Sequence, residues 1–418
     1  MKAFKSLLCL LLCFLCVMLC CCSAENPSLT SSYTRSEAIP VYDFFADEAQ
    51  TPENYQEFVT AYMDFSASLL KNASADENTV LSPLSLYTAL AMTASGASGK
   101  TLRELEKAMG QDLDISEINT FIHYLNERGK VLNSEQGYVS SANSLWIKDS
   151  FSVKAQFLQT VVNYFDSEVF RTDLSAEQIN SWIEDKTSGE IKDMLSTLDK
   201  ETALVIVNAL LFDDEWLTPY EEEDIYDAGF RGTKGEEFVS FMESNEMLIE
   251  SKDAKGIIKN YKNTPCRFVA ILPDENVDID TYVSSLSGAK LESLLGSARG
   301  VNRCIAHLPQ FELRSKLSLT DTAKKMGMEL MFTDNANFEA LTMSEGLKVS
   351  DVVQESFVDV SAKGTKAGSS TVIAVAPGAS EAPESDILSL VFDRPFVFMI
   401  VENESNLPLF IGTVKYIG

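Results

Sequence analysis

The chain has 418 residues, of which 45% are hydrophobic and 10% aromatic, and its formal net charge is −28. This composition is sufficient for a large hydrophobic core. The negative charge argues against a nucleic-acid partner, because neutralising phosphates requires clustered Lys and Arg. No stretch rich in Pro and Gly divides the body, so we expect a single domain. We also expect the protein to be a monomer.

The first 24 residues predict an export signal. A basic start precedes an apolar run from Leu7 to Leu19, which is too short for a typical membrane-spanning helix. We favour cleavage after Ala24, which would give a secreted protein. The alternative is a lipid anchor on the cell surface, attached at Cys20, Cys21 or Cys22.

Six of the eight cysteines lie in this segment, which leaves Cys266 and Cys304 in the body. Two cysteines do not make a disulfide scaffold, so the fold must depend on its core. One bridge and two buried free thiols fit the sequence equally well. Neither cysteine belongs to a CxxC motif, so we expect no metal site, and nothing indicates a cofactor.

Helical patterns dominate the first half of the chain. After a polar segment, 25–53, that predicts a flexible leader, apolar residues from Tyr55 to Leu70 follow helical spacing. Ser82 followed by Pro83 predicts the N-cap and first position of a helix over 84–94. Further helices are predicted at 102–109, 157–165, 176–185 and 320–326.

Strand patterns are concentrated in the C-terminal third. Before it, the segment 203–212 is nearly all apolar and predicts a strand buried on both faces. Other strands are predicted at 142–147, 268–272, 350–360 and 391–401. The order of these patterns predicts a mixed α+β protein.

The segment 96–101 resembles a phosphate-binding loop that ends in GKT. The Walker pattern requires a glycine where this chain has Ala94, and a strand where it has a predicted helix. A simpler interpretation is a new helix near Thr101, whose hydroxyl would form a cap with Glu104. We therefore do not expect nucleotide binding.

The chain has two histidines, His123 in a predicted helix and His307 at a predicted strand start. Acyl-transfer catalysis would require one of them as a base beside a nucleophile. The chain has no GxSxG motif, so we interpret both histidines as structural. The sequence therefore predicts a protein that is not an enzyme.

The segment Gly364–Pro383 is the most unusual part of the sequence. It lies between two strand patterns, lacks aromatic residues and consists mostly of small side chains. Such long unstructured stretches in a compact domain are usually functional or disordered, and disordered linkers rarely contain a β-branched block such as Thr371–Val375. As a strand, 365–375 would have an uncharged face and carry Lys366 on the other. No proline precedes Pro377, so the segment is able to enter a sheet.

The body resembles the serpin family over nearly its whole length. The matching motifs occur in the family's order: 78–85, 89–92, 142–146, 179–182, 207–216, 392–398 and 408–412. Each motif alone is moderately specific, whereas the complete series is very specific. The resemblance implies a single α+β domain over 54–418, with three β-sheets, about nine helices and an exposed reactive loop at about 364–390.

The resemblance also implies a function. A serine or cysteine protease would attack the reactive loop as a substrate, and the cut loop would insert into the main sheet before the acyl-enzyme is hydrolysed. The chain would thus be an irreversible inhibitor of its target protease. The alternative is a non-inhibitory member that serves as a carrier or structural protein. The small residues at the start of the loop favour inhibition.

The resemblance assigns the proximal hinge of the loop, where small side chains must allow insertion to begin. The hinge comprises Gly364, Thr365, Lys366, Ala367, Gly368, Ser369, Ser370 and Thr371. Acidic residues are usual in this region of the family, whereas this chain has Ala362 and Lys366. We expect insertion to survive this difference.

The resemblance also assigns residues that control the opening of the sheet. Ser82, Ser85 and Asn208 match polar positions beneath the opening, and Trp216 matches an aromatic residue near the insertion point. Gln354 occupies a position where the family usually has a histidine. Glutamine can both donate and accept hydrogen bonds, but the network must differ.

The sequence leaves the scissile bond open. Counting from the hinge glycine places it between Gly378 and Ala379 or beside a neighbouring alanine, whereas counting back from Phe392 gives Glu384. The first position favours an elastase-like or subtilisin-like protease, and the second a Glu-specific protease. No Arg or Lys lies between residues 367 and 390, which argues against a trypsin-like target.

Overall fold

A computed structural model describes residues 51–73, 76–132, 137–298, 303–366 and 388–418. Of Lys366, it describes the backbone. Several sequence predictions therefore concern residues outside the described ranges: the signal and leader up to residue 50, Cys20, Cys21, Cys22, the hinge from Ala367 to Thr371, Gly378, Ala379 and Glu384. These remain predictions.

The described residues form nine α-helices. They are α1 Tyr55–Ala73, α2 Pro83–Gly96, α3 Gly99–Gly110, α4 Ile115–Leu132, α5 Ala155–Phe165, α6 Ala176–Lys186, α7 Ile279–Ser284, α8 Gly288–Gly296 and α9 Thr320–Lys325. The predicted cap of α2 is confirmed, because the Ser82 hydroxyl accepts a hydrogen bond from the Ser85 N–H at 3.2 Å. None of these helices is long and apolar enough to cross a membrane.

The predicted cap at Thr101 is wrong. Helix α3 begins at Gly99, and the Thr101 hydroxyl accepts a hydrogen bond from the N–H of Asn337 at 2.9 Å. The Glu104 carboxylate accepts hydrogen bonds from the N–H groups of residues 329 and 330. Both side chains therefore connect α3 to a distant segment, which the local pattern did not indicate.

The described residues also form fifteen strands. They are β1 Thr79–Leu81, β2 Tyr138–Lys148, β3 Glu168–Thr172, β4 Leu204–Glu215, β5 Ile225–Gly232, β6 Gly235–Glu250, β7 Ala254–Asn260, β8 Cys266–Pro273, β9 Arg303–Pro309, β10 Phe311–Ser318, β11 Val353–Val360, β12 Gly364–Lys366, β13 Leu388–Val391, β14 Phe396–Glu402 and β15 Pro408–Val414.

Two strand predictions need correction. The predicted strand 391–401 is divided into β13 and β14, because the intervening turn is fixed by hydrogen bonds from Arg231 to Asp393 and from Arg394 to the Pro273 carbonyl. Strand β4 is less buried than predicted, since its first three residues are only half-buried.

The strands form two hydrogen-bonded sheets. The central sheet has the order β10–β11–β12–β4–β2–β3. The larger sheet has the order β1–β15–β14–β8–β7–β6–β9–β13, with β5 also paired to β6. Strand β6 pairs with β9 along one part and with β7 along another, and thereby joins two of the three sheets implied by the family resemblance.

The largest apolar core connects helices α1 to α5 with the inner faces of both sheets. Its aromatic centre includes Phe58, Tyr87 and Phe121, and the Phe58 and Phe121 ring centroids lie 4.4 Å apart. A second core lies between the two sheets and includes Trp216. This arrangement places Trp216 at the end of β4, where the central sheet meets the larger sheet.

Candidate functional site

Strand β12, formed by the first three hinge residues, separates two strands of the central sheet. It pairs antiparallel with β4, where Thr365 faces Asp214, and with β11, where Thr365 faces Val360. In the described part of the sheet, β4 and β11 pair with β12 and not directly with each other. A strand that continued from β12 would therefore run between β4 and β11.

Gly364 allows β12 to approach β4 closely. A Cβ atom at this position would lie 2.2 Å from the backbone oxygen of Asp214 and 2.8 Å from the Cα atom of Glu215. Both neighbouring atoms belong to the backbone and have little freedom to move. Glycine is thus required here by the space between the strands rather than by an unusual φ angle.

The hinge turn, residues 361–364, joins β11 to β12 and is closed by a hydrogen bond from the Ser361 N–H to the Gly364 carbonyl at 3.0 Å. Each of its first three carbonyl groups accepts a hydrogen bond from the segment that follows β4. Trp216 Nε1 donates to Ser361 at 2.8 Å. The N–H of Tyr220 donates to Ala362 at 3.0 Å and the N–H of Trp216 to residue 363 at 2.9 Å.

Trp216 is fully buried and stacks on Tyr261, with ring centroids 4.8 Å apart and an interplanar angle of 11°. Burial raises the pKa of Tyr261 well above its usual value, and neither the Tyr261 hydroxyl nor the Thr365 hydroxyl has a hydrogen-bond partner among the described atoms. The phenol therefore stays neutral beside the buried Thr365. Trp216 and Tyr261 together form an apolar floor beneath β12.

The buried Asp214 carboxylate fixes the end of β4. It accepts hydrogen bonds from the N–H and side-chain amide of Asn263 and from the N–H and hydroxyl of Thr264, with shortest distances of 2.7 Å to Thr264. Hydrogen bonds from several donors can stabilise a buried carboxylate. The carboxylate thereby holds the 263–264 turn beside the strand that pairs with β12.

Gln354 connects β11 to the start of helix α2. Its Oε1 accepts a hydrogen bond from the Ser82 N–H at 3.0 Å, and its Nε2 donates to the Ser82 carbonyl at 2.9 Å. The Ser82 hydroxyl donates to the Leu409 carbonyl at 2.9 Å. The Gln354 side-chain amide therefore binds both the backbone N–H and the backbone carbonyl of Ser82.

Asn208 lies in a separate group on the other side of β12. Its Nδ2 donates to Asn143 Oδ1 at 2.6 Å and to the Ser141 hydroxyl at 3.2 Å, and Asn143 donates to the Phe165 carbonyl. The predicted sheet-opening network is thus divided. Gln354 on β11 contacts Ser82, which caps α2 together with Ser85, whereas Asn208 on β4 contacts β2 and Trp216 contacts the hinge turn. No described hydrogen bond joins Asn208 to Gln354.

His307 is the fifth residue of β9 rather than its start. Its Nδ1 lies 2.6 Å from the Tyr226 hydroxyl and 3.6 Å from Glu243, and its Nε2 lies 3.1 Å from the Ser389 hydroxyl. Ser389 belongs to edge strand β13, which pairs only with β9 in the described sheet. We interpret His307 as a side-chain connection that supports β13.

Cys266 and Cys304 are both buried and unbridged, which decides between the two alternatives that the sequence allowed. Desolvation by burial raises the pKa of the Cys266 thiol to about 12 and that of Cys304 to about 11. Both side chains therefore behave as small apolar groups of the second core.

Sequence reasoning did not identify Tyr220, Tyr261 or Asp214 as parts of this site. Tyr261 meets Trp216 across 45 positions of sequence, and Trp216 meets Ser361 across 145. Such contacts leave no local periodicity. The one available signal was the pair of aspartates at 213–214, which directly follows an apolar strand.

The chain is similar to known proteins in both sequence and structure. The family model described as "Serpin (serine protease inhibitor)" matches residues 60–417. An uncharacterized serpin-like protein of Thermococcus kodakarensis is 28% identical over 401 residues, which cover 93% of this chain and 92% of that protein. The native state of tengpin, a thermophilic serpin, has a TM-score of 0.82 and 34% identity, with coverage of 93% of this chain and 99% of tengpin.

Similarity of fold also extends to thyroxine-binding globulin in complex with thyroxine. That structure has a TM-score of 0.74 and 23% identity, and the match covers 86% of this chain and 99% of the globulin. At this identity, the likeness concerns the fold alone.

Proposed function

The chain belongs to the serpin family of serine-protease inhibitors, and from this premise we propose that it traps a protease by inserting its own cleaved loop into the central sheet. The target nucleophile would attack a loop carbonyl, the peptide bond would break, and the new amino terminus would leave with a proton. The protease would remain attached as an ester or thioester until water hydrolysed it. Insertion would distort the protease before this hydrolysis.

The position of β12 is the observation that carries this proposal. Gly364 and Thr365 already pair on both sides, and β4 and β11 flank the course of any continuation. The residues that follow in sequence, 367–371, are small and uncharged. At roughly 3.3 Å per residue, a strand that extended to Gly378 would carry the attached protease on the order of 40 Å.

We further propose an elastase-like or subtilisin-like target, with cleavage between Gly378 and Ala379. The support is the sequence of the loop, where small residues surround this bond and Arg and Lys are absent from 367 to 390. Cleavage of the export signal after Ala24 would place the inhibitor outside the cell, where it would meet secreted proteases.

The test is incubation of the purified chain with elastase-like, subtilisin-like, trypsin-like and Glu-specific proteases, followed by denaturing gel electrophoresis. We expect a protease–inhibitor complex that survives denaturation with one of the first two, and a released peptide that begins at Ala379. A protease whose catalytic serine is replaced by alanine is the control and should give no complex. Loop cleavage without any complex would contradict inhibition and would favour a non-inhibitory carrier or structural protein.

A further inference from the structure

A buried ion pair lies next to Trp216. Lys259 on β7 and Glu246 on β6 are 2% and 8% exposed, and Lys259 Nζ lies 2.7 Å from Glu246 Oε1. Removing two charges from water has a large desolvation cost, so a buried ion pair is weak grounds for stability alone. This pair therefore requires another explanation.

The ammonium group of Lys259 also faces two aromatic rings. It lies 4.2 Å from the centroid of Tyr220 and 5.5 Å from that of Trp216. Desolvated contacts between a cation and an aromatic face are favourable and directional. Glu246 accepts a hydrogen bond from Ser244, whose hydroxyl lies 3.2 Å from the Tyr220 hydroxyl. The ion pair thus fixes Tyr220 at its ring face and at its hydroxyl end.

The same two aromatic residues hold the hinge turn. Among the described hydrogen bonds, Trp216 donates to the hinge turn from its Nε1 and its backbone N–H, and Tyr220 donates from its backbone N–H. The Trp216 ring centroid lies 5.5 Å from Lys259 Nζ and 4.8 Å from the ring centroid of Tyr261. Loss of the ion pair would therefore alter the position of Trp216 and Tyr220, and these two residues bind the hinge turn directly.

We propose that Lys259 and Glu246 are positioning residues for loop insertion, which act by holding Trp216 and Tyr220 in the orientation that binds the hinge turn. This inference rests on the proposed inhibitory function. Insertion competes with hydrolysis of the acyl-enzyme. A hinge turn that already holds β12 between β4 and β11 would allow insertion to begin sooner. A looser turn would let more inhibitor be cleaved without trapping its target.

The test uses the double variant Lys259→Met with Glu246→Gln, which removes both charges and leaves no unpaired buried ion. We expect the stoichiometry of inhibition, the number of inhibitor molecules consumed per trapped protease, to rise at least about threefold. The rate at which protease first cleaves the loop should stay unchanged, since the scissile bond is not altered. A merely structural role would lower the thermal midpoint without moving this stoichiometry.

The chain offers a matched control in Lys290 and Asp253. Their side chains lie 2.6 Å apart, and Lys290 Nζ lies 4.3 Å from the ring centroid of Tyr282, away from the hinge turn. The variant Lys290→Met with Asp253→Asn should leave the stoichiometry of inhibition unchanged. Lys259→Arg keeps the positive charge, so its stoichiometry of inhibition should stay close to that of the wild type.

An unchanged stoichiometry in the Lys259 and Glu246 variant, or an equal rise in the control variant, would overturn the inference while leaving inhibition intact. If the wild-type chain forms no complex, the proposed function fails, and this inference fails with it.

Discussion

Under the proposed mechanism, single residues where β12 meets the end of β4 would determine whether the loop can begin to insert. Gly364 provides the space, Thr365 contributes a buried hydroxyl beside Tyr261, and Asp214 fixes the strand against which both pair. Gly364 and Thr365 act through the space they leave or fill, whereas the Asp214 carboxylate acts through the hydrogen bonds it accepts from the 263–264 turn. Substitutions at this scale should therefore affect insertion more strongly than they affect attack on the loop.

The first prediction concerns Gly364→Ala. The added Cβ would lie 2.2 Å from the Asp214 backbone oxygen, so β12 must move away from β4. We expect the loop to be cleaved at the wild-type rate but the stoichiometry of inhibition to rise by about tenfold or more. Gly296→Ala is the control, since a Cβ there meets no atom within 4 Å. Inhibition by Gly364→Ala at the wild-type stoichiometry would contradict the prediction.

The second prediction concerns the two body cysteines. Burial raises the pKa of Cys266 to about 12 and of Cys304 to about 11, so both remain thiols at pH 8, and the thiolate is the form that reacts. Peptide mapping after treatment with iodoacetamide should show neither modified in the native protein and both modified after unfolding. Rapid native labelling of either cysteine would show that the core opens around it.

These thiols also affect stability at alkaline pH. The unfolded chain loses their protons near pH 8.5, whereas the folded chain retains them to higher pH. The free energy of unfolding should therefore decrease as the pH rises from about 9 toward 12.

At the scale of elements, much of the fold follows from local pattern. Helix α1 lies where apolar spacing predicts it, and α2 begins where Ser82 and Pro83 predict a cap. Helices α5 and α6 also lie at their predicted positions, α5 against the largest core and α6 against a smaller cluster that includes Trp146. The insertion of β12 between β4 and β11 has no local pattern, because a three-residue strand is defined by its neighbours. For the same reason, the sequence pointed to Trp216 through the family resemblance and gave no indication of Tyr220 or Tyr261.

The third prediction tests the contact between β4 and the hinge turn. Trp216→Phe keeps an aromatic ring but removes the hydrogen bond to the Ser361 carbonyl, which is worth about 0.5–1.5 kcal/mol. We expect a several-fold rise in the stoichiometry of inhibition, measured by titration against the target protease. Trp182→Phe is the control, because its Nε1 has no hydrogen-bond partner among the described atoms. Equal effects of both substitutions would indicate a general loss of packing.

The fourth prediction tests the connection between β11 and α2. Gln354→Leu would leave the buried Ser82 N–H without its acceptor, which costs about 1–3 kcal/mol. The thermal midpoint of the intact chain should fall by a few degrees, as followed by circular dichroism. Gln156→Leu, at an exposed position of α5, should have little effect. A midpoint for Gln354→Leu equal to that of the wild type would show that this side chain does not hold the strand.

In the described part of the central sheet, the three-residue strand β12 lies between two much longer strands, β4 and β11. Strands β4 and β11 are parallel to each other and are both paired to β12 along only three residues or fewer. Under the proposed mechanism, the cleaved loop would extend β12, pair with both strands and bury more apolar surface. The intact chain should therefore be less stable than the same chain after its loop is cut.

Thermal unfolding of the intact and the loop-cleaved chain measures whether the cut loop enters the central sheet. The loop is cut with a protease that does not form a complex, the products remain associated, and circular dichroism follows both samples. Insertion of the cleaved loop between β4 and β11 predicts a rise in the midpoint of at least about 10 °C. An unchanged or lower midpoint, as expected when a nick only loosens an exposed loop, would contradict insertion as the source of inhibition.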